Sequence, residues 1–190
     1  MRVKDENKRL AIYHAAMEIV NSNGLANTSM SKIARTAGVS ASTIYVYFEN
    51  KEDMLNKLYL MVKEESSAEL FRGFSEDIGV KEGLALYMGN LFSYMQAHPV
   101  KFSFQEQFIN SPSISPETKE KGLEFYAPLY RLFMKGLEQK LVKDYPPVLI
   151  GTYIYAPIMR LVKIHLDGEL YVDDDILKKA IEMAWKAVSV

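Results

Sequence analysis

Cysteine is absent from the 190-residue sequence, and so is any long run of apolar residues. Without cysteine the chain has no disulfide bonds and no thiolate metal sites, a composition that agrees with a reducing compartment. No apolar segment of signal-peptide length follows Met1, and no stretch has the roughly 18 consecutive apolar residues of a transmembrane helix. We therefore expect a cytoplasmic protein with no membrane partner.

Sequence motifs that carry enzyme chemistry are missing as well. The three histidines, His14, His98 and His165, are scattered and do not have the spacing of a metal-binding helix. The acidic run Asp173–Asp175 lacks the alternating oxygen ligands and the glycine of a calcium loop, so a helix cap explains it better. Because glycine-rich phosphate loops and nucleophile elbows are also absent, we predict no enzyme activity, no metal site and no cofactor.

An excess of charge of either sign is lacking, since 23 basic residues and 24 acidic residues give a formal net charge of −1. The distribution is uneven, because residues 1–50 carry a net charge of +2 and residues 51–190 a net charge of −3. This sign suits nucleic-acid contacts near the N-terminus, but an ordinary solvated surface explains so small a difference equally well.

Apolar residues are plentiful, at 48% of the chain, and they recur at the three- and four-residue intervals of amphipathic helices. No segment shows the strict alternation of a half-buried strand. The length and composition are those of a globular chain with one large domain or two modest ones. We predict an all-α fold of about nine helices.

The segment 28–51 has the pattern of a helix-turn-helix. Ser29 can cap a first short helix, in which apolar residues fall on one face at helical spacing. Gly38 can adopt the left-handed conformation that ends this helix, and Ser40 can cap the second helix. The segment therefore predicts two short helices joined by a tight turn.

The second helix of this motif carries small side chains on the faces that it does not bury. Ile44 and Phe48 lie four residues apart and form an inward stripe. The remaining positions are occupied by Ala41, Ser42, Thr43, Tyr45 and Tyr47. Small side chains allow close approach to the base edges of a DNA major groove, where a methyl group can meet the thymine methyl and a hydroxyl group can reach a base or a phosphate.

This stretch resembles the TetR family of transcriptional repressors. The resemblance rests on Thr28-Ser29-Met30, Ile33-Ala34, Ala37-Gly38-Val39-Ser40, Thr43-Ile44-Tyr45, Tyr47-Phe48 and Asn50-Lys51-Glu52-Asp53-Met54-Leu55. It covers about the first third of the chain. The resemblance implies that the protein binds operator DNA as a homodimer and releases it when a small molecule enters the C-terminal part.

The same resemblance implies two functional regions. Residues 1–50 would form a three-helix DNA-binding bundle that contains the helix-turn-helix, and residues 51–190 a helical ligand-binding and dimerisation domain. The expected partners are double-stranded DNA, with a palindromic operator, a small apolar or aromatic effector, and a second copy of the chain.

Candidate DNA contacts follow from the side chains of the motif. The candidates for phosphate contacts are Ser29, Ser31, Tyr45, Tyr47 and Lys51. The candidates for base contacts are Ala41, Ser42 and Thr43. Because positions 41–43 carry no long basic or amide side chain, we expect methyl contacts and DNA shape to contribute to sequence preference.

Aromatic residues and methionines are concentrated in the middle of the C-terminal part. Such residues, with a few polar groups, line pockets for apolar ligands. The candidate pocket residues are Tyr87, Phe92, Met95, Phe104, Phe108, Tyr126, Tyr130 and Arg131. An aromatic residue at helical spacing is also typical of an ordinary core, and that alternative applies to each of them.

The last two predicted helices each present an apolar face. Two copies of this pair would form a four-helix bundle about a twofold axis. The candidate interface residues are Ile154, Ile158, Leu161, His165, Met183 and Ala187. The alternative is that both helices close the core of a single chain.

Two other functional hypotheses are compatible with the sequence. In the first, the helix-turn-helix is only architectural, and the protein is a helical small-molecule carrier or an interaction module without operator binding. In the second, the protein activates transcription, because the sign of regulation depends on where the operator lies and not on the residues of the protein.

Overall fold

The computed structural model of the protein describes residues 5–75, 77–109 and 111–190, and for residue 109 it describes the backbone only. These residues form ten α-helices, which confirms the all-α prediction. The helices are α1 (Glu6–Asn23), α2 (Met30–Thr36), α3 (Ala41–Tyr47), α4 (Lys51–Leu70), α5 (Val80–Ala97), α6 (Pro99–Ile109), α7 (Pro116–Glu124), α8 (Ala127–Glu138), α9 (Pro147–Leu166) and α10 (Asp174–Val188). The count exceeds the predicted nine or so because the helix predicted around Pro128 is two helices, α7 and α8.

The helix-turn-helix forms as its capping residues predict. The Ser29 hydroxyl accepts a hydrogen bond from the Lys32 N–H at 3.3 Å, and the Ser40 hydroxyl accepts one from the Thr43 N–H at 3.1 Å. Gly38 between them has a φ of +66°, a conformation that side-chain-bearing residues rarely adopt. Local chemistry thus sets where α2 ends and where α3 begins.

The first compact unit runs to Glu64 and includes Pro99–Leu123. Its core joins the buried faces of α1 to α4 with Phe104 and Phe108 from α6. These two rings lie 4.4 Å apart, and Phe108 lies 6.3 Å from the ring of Tyr59. The helix-turn-helix therefore shares its core with a segment that follows it by more than fifty residues.

The second compact unit consists of Glu65–His98 and Glu124–Val190. Within it α5 packs against α8, α9 and α10. Helix α9 continues through Pro157 and buries a stripe made of Ile150, Ile154, Ile158 and Val162. These units are defined by packing, whereas the division at residue 50 concerns function and stays a prediction.

Helix α9 is the one helix of the described chain that is long and apolar enough to cross a membrane, with 20 residues and a mean hydropathy of 1.2. A single helix of this kind is weak evidence for a membrane protein. Arg160 and Lys163 lie in its C-terminal half, where a bilayer core disfavours charge. Its apolar surface is better explained by protein contacts.

A side chain at Gly136 of α8 is expected to clash with its neighbours and to destabilise the fold. A Cβ atom there would lie 2.7 Å from Val142 Cγ2 and 3.0 Å from Val80 Cγ1, and both valines are buried. Because valine side chains are stiff, Gly136→Ala should lower the free energy of unfolding by about 1–2 kcal/mol. Denaturant unfolding, monitored by circular dichroism, measures this change.

Gly89→Ala is the matched control, since Gly89 lies inside α5 and no atom beyond its chain neighbours and the adjacent turns of its own helix backbone lies within 4 Å of a Cβ built there. This substitution should raise the free energy of unfolding by about 0.5–1 kcal/mol, because alanine favours the helix over glycine. Equal effects of the two substitutions would contradict the packing argument at Gly136.

Candidate nucleic-acid interface and ligand cavity

Helix α3 presents one face to solvent over its whole length. Its inward residue Ile44 is fully buried, as is Phe48 at its end. The outward face consists of Ala41, Ser42, Tyr45 and Val46, and the last two are 58% and 43% exposed. Val46 is not among the DNA contacts predicted from the sequence, although it lies four residues after Ser42 and therefore on the same face.

Two hydroxyl groups lie within hydrogen-bonding distance of the Ser40 hydroxyl group at the beginning of α3. The Ser40 Oγ atom lies 2.9 Å from Ser42 Oγ and 2.7 Å from Thr43 Oγ1, in addition to its capping hydrogen bond. Thr43 is half-buried, while Ser42 is exposed. Of the two predicted hydroxyl base contacts, Ser42 is therefore the better placed to meet a ligand in front of α3.

Helix α2 and its N-cap expose hydroxyl groups and basic side chains to solvent. Ser29 and Ser31 are both exposed, and the Ser29 hydroxyl serves as the N-cap. Two further exposed residues of α2, Lys32 and Arg35, carry positive charge, and the Lys32 Nζ atom donates to the Asn27 carbonyl oxygen at 3.3 Å. These two cations are not among the DNA contacts predicted from the sequence.

Tyr47 and Lys51 form hydrogen bonds to the backbone of the bundle. Tyr47 is 8% exposed, and its hydroxyl group donates to the Asp5 carbonyl oxygen at 3.1 Å and accepts from the Asp5 N–H at 3.0 Å. Lys51 is half-buried, and its Nζ atom donates to the Leu25 carbonyl oxygen at 3.3 Å. Each of the two predicted phosphate contacts thus has a partner within the protein.

Tyr47→Phe is expected to lower the free energy of unfolding by about 1 kcal/mol, because both hydrogen bonds to Asp5 are lost while the ring stays packed. Chemical denaturation measures this change. Tyr45→Phe is the control, since Tyr45 is largely exposed and its substitution should change the stability by less than about 0.5 kcal/mol. A Tyr47→Phe protein as stable as the wild type would show that the contact with Asp5 contributes little.

A cavity of about 670 Å³ opens in the second unit. Its walls are formed by Phe71, Phe74, Ser75, Ile78, Pro128, Arg131, Leu132 and Lys135. Arg131 and Lys135 lie one turn apart on α8, and the Lys135 Nζ atom donates to the Ile78 carbonyl oxygen at 2.8 Å. Apolar walls with two cations suit a ligand that combines an apolar body with an anionic group.

Phe71 connects this cavity with two of the predicted pocket residues. Its ring stacks on Tyr87 at a centroid distance of 5.7 Å and meets Tyr126 edge-on at 5.9 Å. Burial raises the pKa of the Tyr87 hydroxyl, so that this group stays neutral and can serve as a hydrogen-bond donor. The structure thus brings Tyr87, Tyr126 and Arg131 together around Phe71 and the cavity.

The other predicted pocket residues lie elsewhere. Phe92 is buried beside the His165 ring at 5.8 Å, Met95 is buried in α5, and Tyr130 is 58% exposed on α8. Phe104 and Phe108 belong to the core of the first unit and not to the cavity of the second. Helical spacing alone could not distinguish these locations, because every buried helix face shows the same period.

The predicted interface residues fall into three groups by burial. Ile154 and Ile158 are 5% and 0% exposed within the single chain, so they belong to its core. Met183 is 72% exposed, and Ala187 is exposed beside it on α10. Leu161 and His165 are half-buried.

His165 has partners within its own chain. Its Nδ1 atom accepts from the Val172 N–H at 3.1 Å, and its Nε2 atom lies 2.8 Å from Gln96 Nε2. Leu149 and Tyr153 of α9 are 42% and 52% exposed and add apolar surface that the predicted set did not include.

The capped α2, the tight turn and the outward face of α3 define a helix-turn-helix DNA-binding protein. Residues 12–58 match the family model of bacterial regulatory proteins of the tetR family. Residues 85–189 match the model of the tetracyclin repressor-like C-terminal domain. The chain belongs to the TetR family of transcription regulators, whose members bind DNA and are not enzymes.

Known proteins resemble the chain over different lengths. A TetR family transcription regulator from Marinobacter aquaeolei VT8 is 32% identical, with a TM-score of 0.91 over 100% of this chain and 99% of that chain. The fatty acid metabolism regulator protein of Bacillus subtilis is 39% identical over 92 residues, which are 46% of this chain and 45% of that protein. The chain therefore matches less than half the length of that curated relative.

The fold is also similar to that of the transcriptional regulator FadR from Bacillus subtilis in complex with stearoyl-CoA. The TM-score is 0.70 and the sequence identity 23%, over 92% of this chain and 96% of that chain. At this identity the likeness concerns the fold alone.

Proposed function

We propose that the protein is a ligand-responsive repressor, which binds a palindromic operator as a homodimer in the cytoplasm and is released from it by a small effector. The observation that carries this proposal is the outward face of α3, where small side chains are exposed to solvent. A purely architectural helix of seven residues would not require such a face.

In the proposed complex α3 enters the major groove. Ala41 and Val46 offer methyl groups to thymine, and Ser42 offers a hydroxyl group to a base edge. Tyr45, at the flank of the same face, reaches a phosphate. Because this face has no bidentate side chain, the energy of DNA deformation contributes to the choice of operator.

Phosphate contacts from α2 and from the start of α4 hold α3 in register. The proposed groups are Ser29, Ser31, Lys32, Arg35 and Lys51. Tyr47 acts on DNA only indirectly, because its hydroxyl group holds the backbone at the beginning of α1. Tyr47 is therefore proposed as a positioning residue and not as a phosphate contact.

The homodimer is proposed to form through the outward flanks of α9 and α10. The exposed apolar residues there are Leu149, Tyr153, Met183 and Ala187. An isologous contact about a twofold axis would remove this surface from water. A twofold dimer also matches the symmetry of a palindromic operator, because each half-site would bind one copy of α3.

The effector is proposed to enter the cavity beside Phe71, with its apolar part against Phe74 and Leu132 and its anionic group near Arg131 and Lys135. Long-chain acyl thioesters of coenzyme A have this chemistry, and the solved FadR complex contains one of them. We propose stearoyl-CoA as the first effector to test.

The experiment that tests this function is selection of bound duplexes from a random DNA pool, followed by titration of the selected sequence at several salt concentrations. We expect a palindromic consensus and an affinity that falls steeply with salt. Arg35→Ala and Lys51→Ala should each reduce the salt slope by about one unit per protomer. Weak binding without a consensus, by folded protein free of bound ligand, would favour the carrier hypothesis.

A further inference from the structure

A second cavity, of about 280 Å³, lies between α5, α9 and α10. Its apolar walls are formed by Leu84, Ala85, Met88, Ile154, Ile181, Trp185 and Val188. Apolar cavities of about half this volume already bind benzene in other proteins. This cavity can therefore hold a ligand of roughly ten non-hydrogen atoms.

Three charged residues stand at the rim of this cavity, namely Lys81, Lys178 and Glu182. The Lys81 Nζ atom forms an ion pair with Glu182 Oε2 at 3.0 Å and lies 6.0 Å from the centroid of the Trp185 ring. Among the described residues Lys178 forms no ion pair, so the rim carries one uncompensated positive charge.

We propose that this cavity is a second ligand site, which binds an apolar monocarboxylate. The hydrocarbon part lies between Met88, Ile154 and Trp185, and the carboxylate lies beside the Lys178 ammonium group. The Lys81–Glu182 ion pair covers the ring of Trp185 and leaves Lys178 as the cation for the ligand.

The site is separate from the effector cavity, because the two share no lining residue. It is also separate from the proposed dimer surface. Met183 and Trp185 are two residues apart on α10, which places them about 160° apart around the helix axis. Dimerisation through Met183 therefore leaves the Trp185 side of α10 open, and the two functions can coexist.

Trp185 is the only tryptophan of the chain and forms a wall of the site, so its emission reports occupancy directly. The test titrates the full chain with octanoate, using 1-octanol and octylammonium as neutral and cationic probes of similar length. We expect a saturable change in Trp185 emission with octanoate, weaker binding of octanol and no binding of octylammonium. Calorimetry on the same solutions gives the affinities without relying on fluorescence.

Two kinds of variant locate the ligand. Lys178→Met keeps the apolar stem and should weaken octanoate about tenfold while leaving octanol unchanged, and Lys178→Arg should restore the affinity. Ala85→Leu fills the cavity from α5 and should abolish the binding of octanoate and of octanol. Ile181→Phe fills the cavity from α10 and should have the same effect. Arg131→Gln, in the effector cavity, should leave the affinity for octanoate unchanged.

The proposal is overturned by any of four results. These are no saturable signal with octanoate, equal affinities for octanoate and octanol, binding that persists in folded variants with a filled cavity, or binding that is lost in Arg131→Gln. The last result would place octanoate in the effector cavity. None of these outcomes depends on operator binding, so failure here leaves the proposed repressor function untouched.

Discussion

Ser42→Asp is expected to weaken operator binding by about 100-fold or more at fixed salt concentration. Ser42 lies on the outward face of α3, so the new carboxylate would face the DNA in both protomers of a dimer. Each copy loses a hydroxyl contact and gains repulsion from phosphate, and about 1–3 kcal/mol per half-site is typical of a lost specific contact. Fluorescence anisotropy with the selected operator measures the change.

The same substitution should leave the folded state intact or stabilise it slightly. Position 42 is in the first turn of α3, where a negative charge interacts favourably with the helix dipole, by about 0.3–1 kcal/mol. Loss of binding together with an unchanged or higher melting temperature would therefore assign the effect to the interface.

Ser115→Asp is the matched control for Ser42→Asp. It adds the same charge at an exposed position directly before α7, in the same compact unit. The Ser115 hydroxyl accepts from the Thr118 N–H at 3.1 Å, and aspartate caps a helix about as well as serine does. The effect on operator affinity should be small, because Ser115 does not lie on the outward face of α3. If both variants bind the operator as the wild type does, α3 is not the surface that reads DNA.

Arg131→Gln is expected to raise the concentration of stearoyl-CoA needed to release the operator by about tenfold. Arg131 lines the effector cavity, is exposed, and forms no ion pair among the described residues, so an anionic group can meet it at little cost. A hydrogen bond to a charged group contributes about 1.5–3 kcal/mol, and glutamine retains the hydrogen bonding without the charge. Competition between effector and DNA, followed by anisotropy, gives the midpoint.

Arg131→Lys keeps the positive charge but not the planar guanidinium group. This variant should recover most of the sensitivity to stearoyl-CoA. The affinity of Arg131→Gln for DNA in the absence of effector should equal that of the wild type, because the residue lies in the second unit and not on α2 or α3. A wild-type protein that stearoyl-CoA does not release would contradict the effector class. An unchanged midpoint in Arg131→Gln would contradict only the role of this side chain.

The sequence by itself determined the local structure of the DNA-binding motif. Ser29 and Ser40 cap helices, and Gly38 has positive φ, because these choices depend on side chains and backbone atoms within a few residues of one another. The same holds for Asp173, whose carboxylate accepts from the Ile176 N–H at 2.9 Å at the start of α10. The outward face of α3 was likewise readable from helical periodicity, apart from Val46.

Only the tertiary structure decided which buried faces meet. Phe104 joins the core of the helix-turn-helix and Ile154 the core of the second unit. The concentration of aromatic residues had made the first a pocket candidate, and the apolar face of its helix had made the second an interface candidate. The Tyr47 hydroxyl, predicted at a phosphate, meets the backbone of Asp5, 42 residues away. Periodicity marks a face as apolar but does not encode its partner, since burial against any apolar surface releases similar free energy.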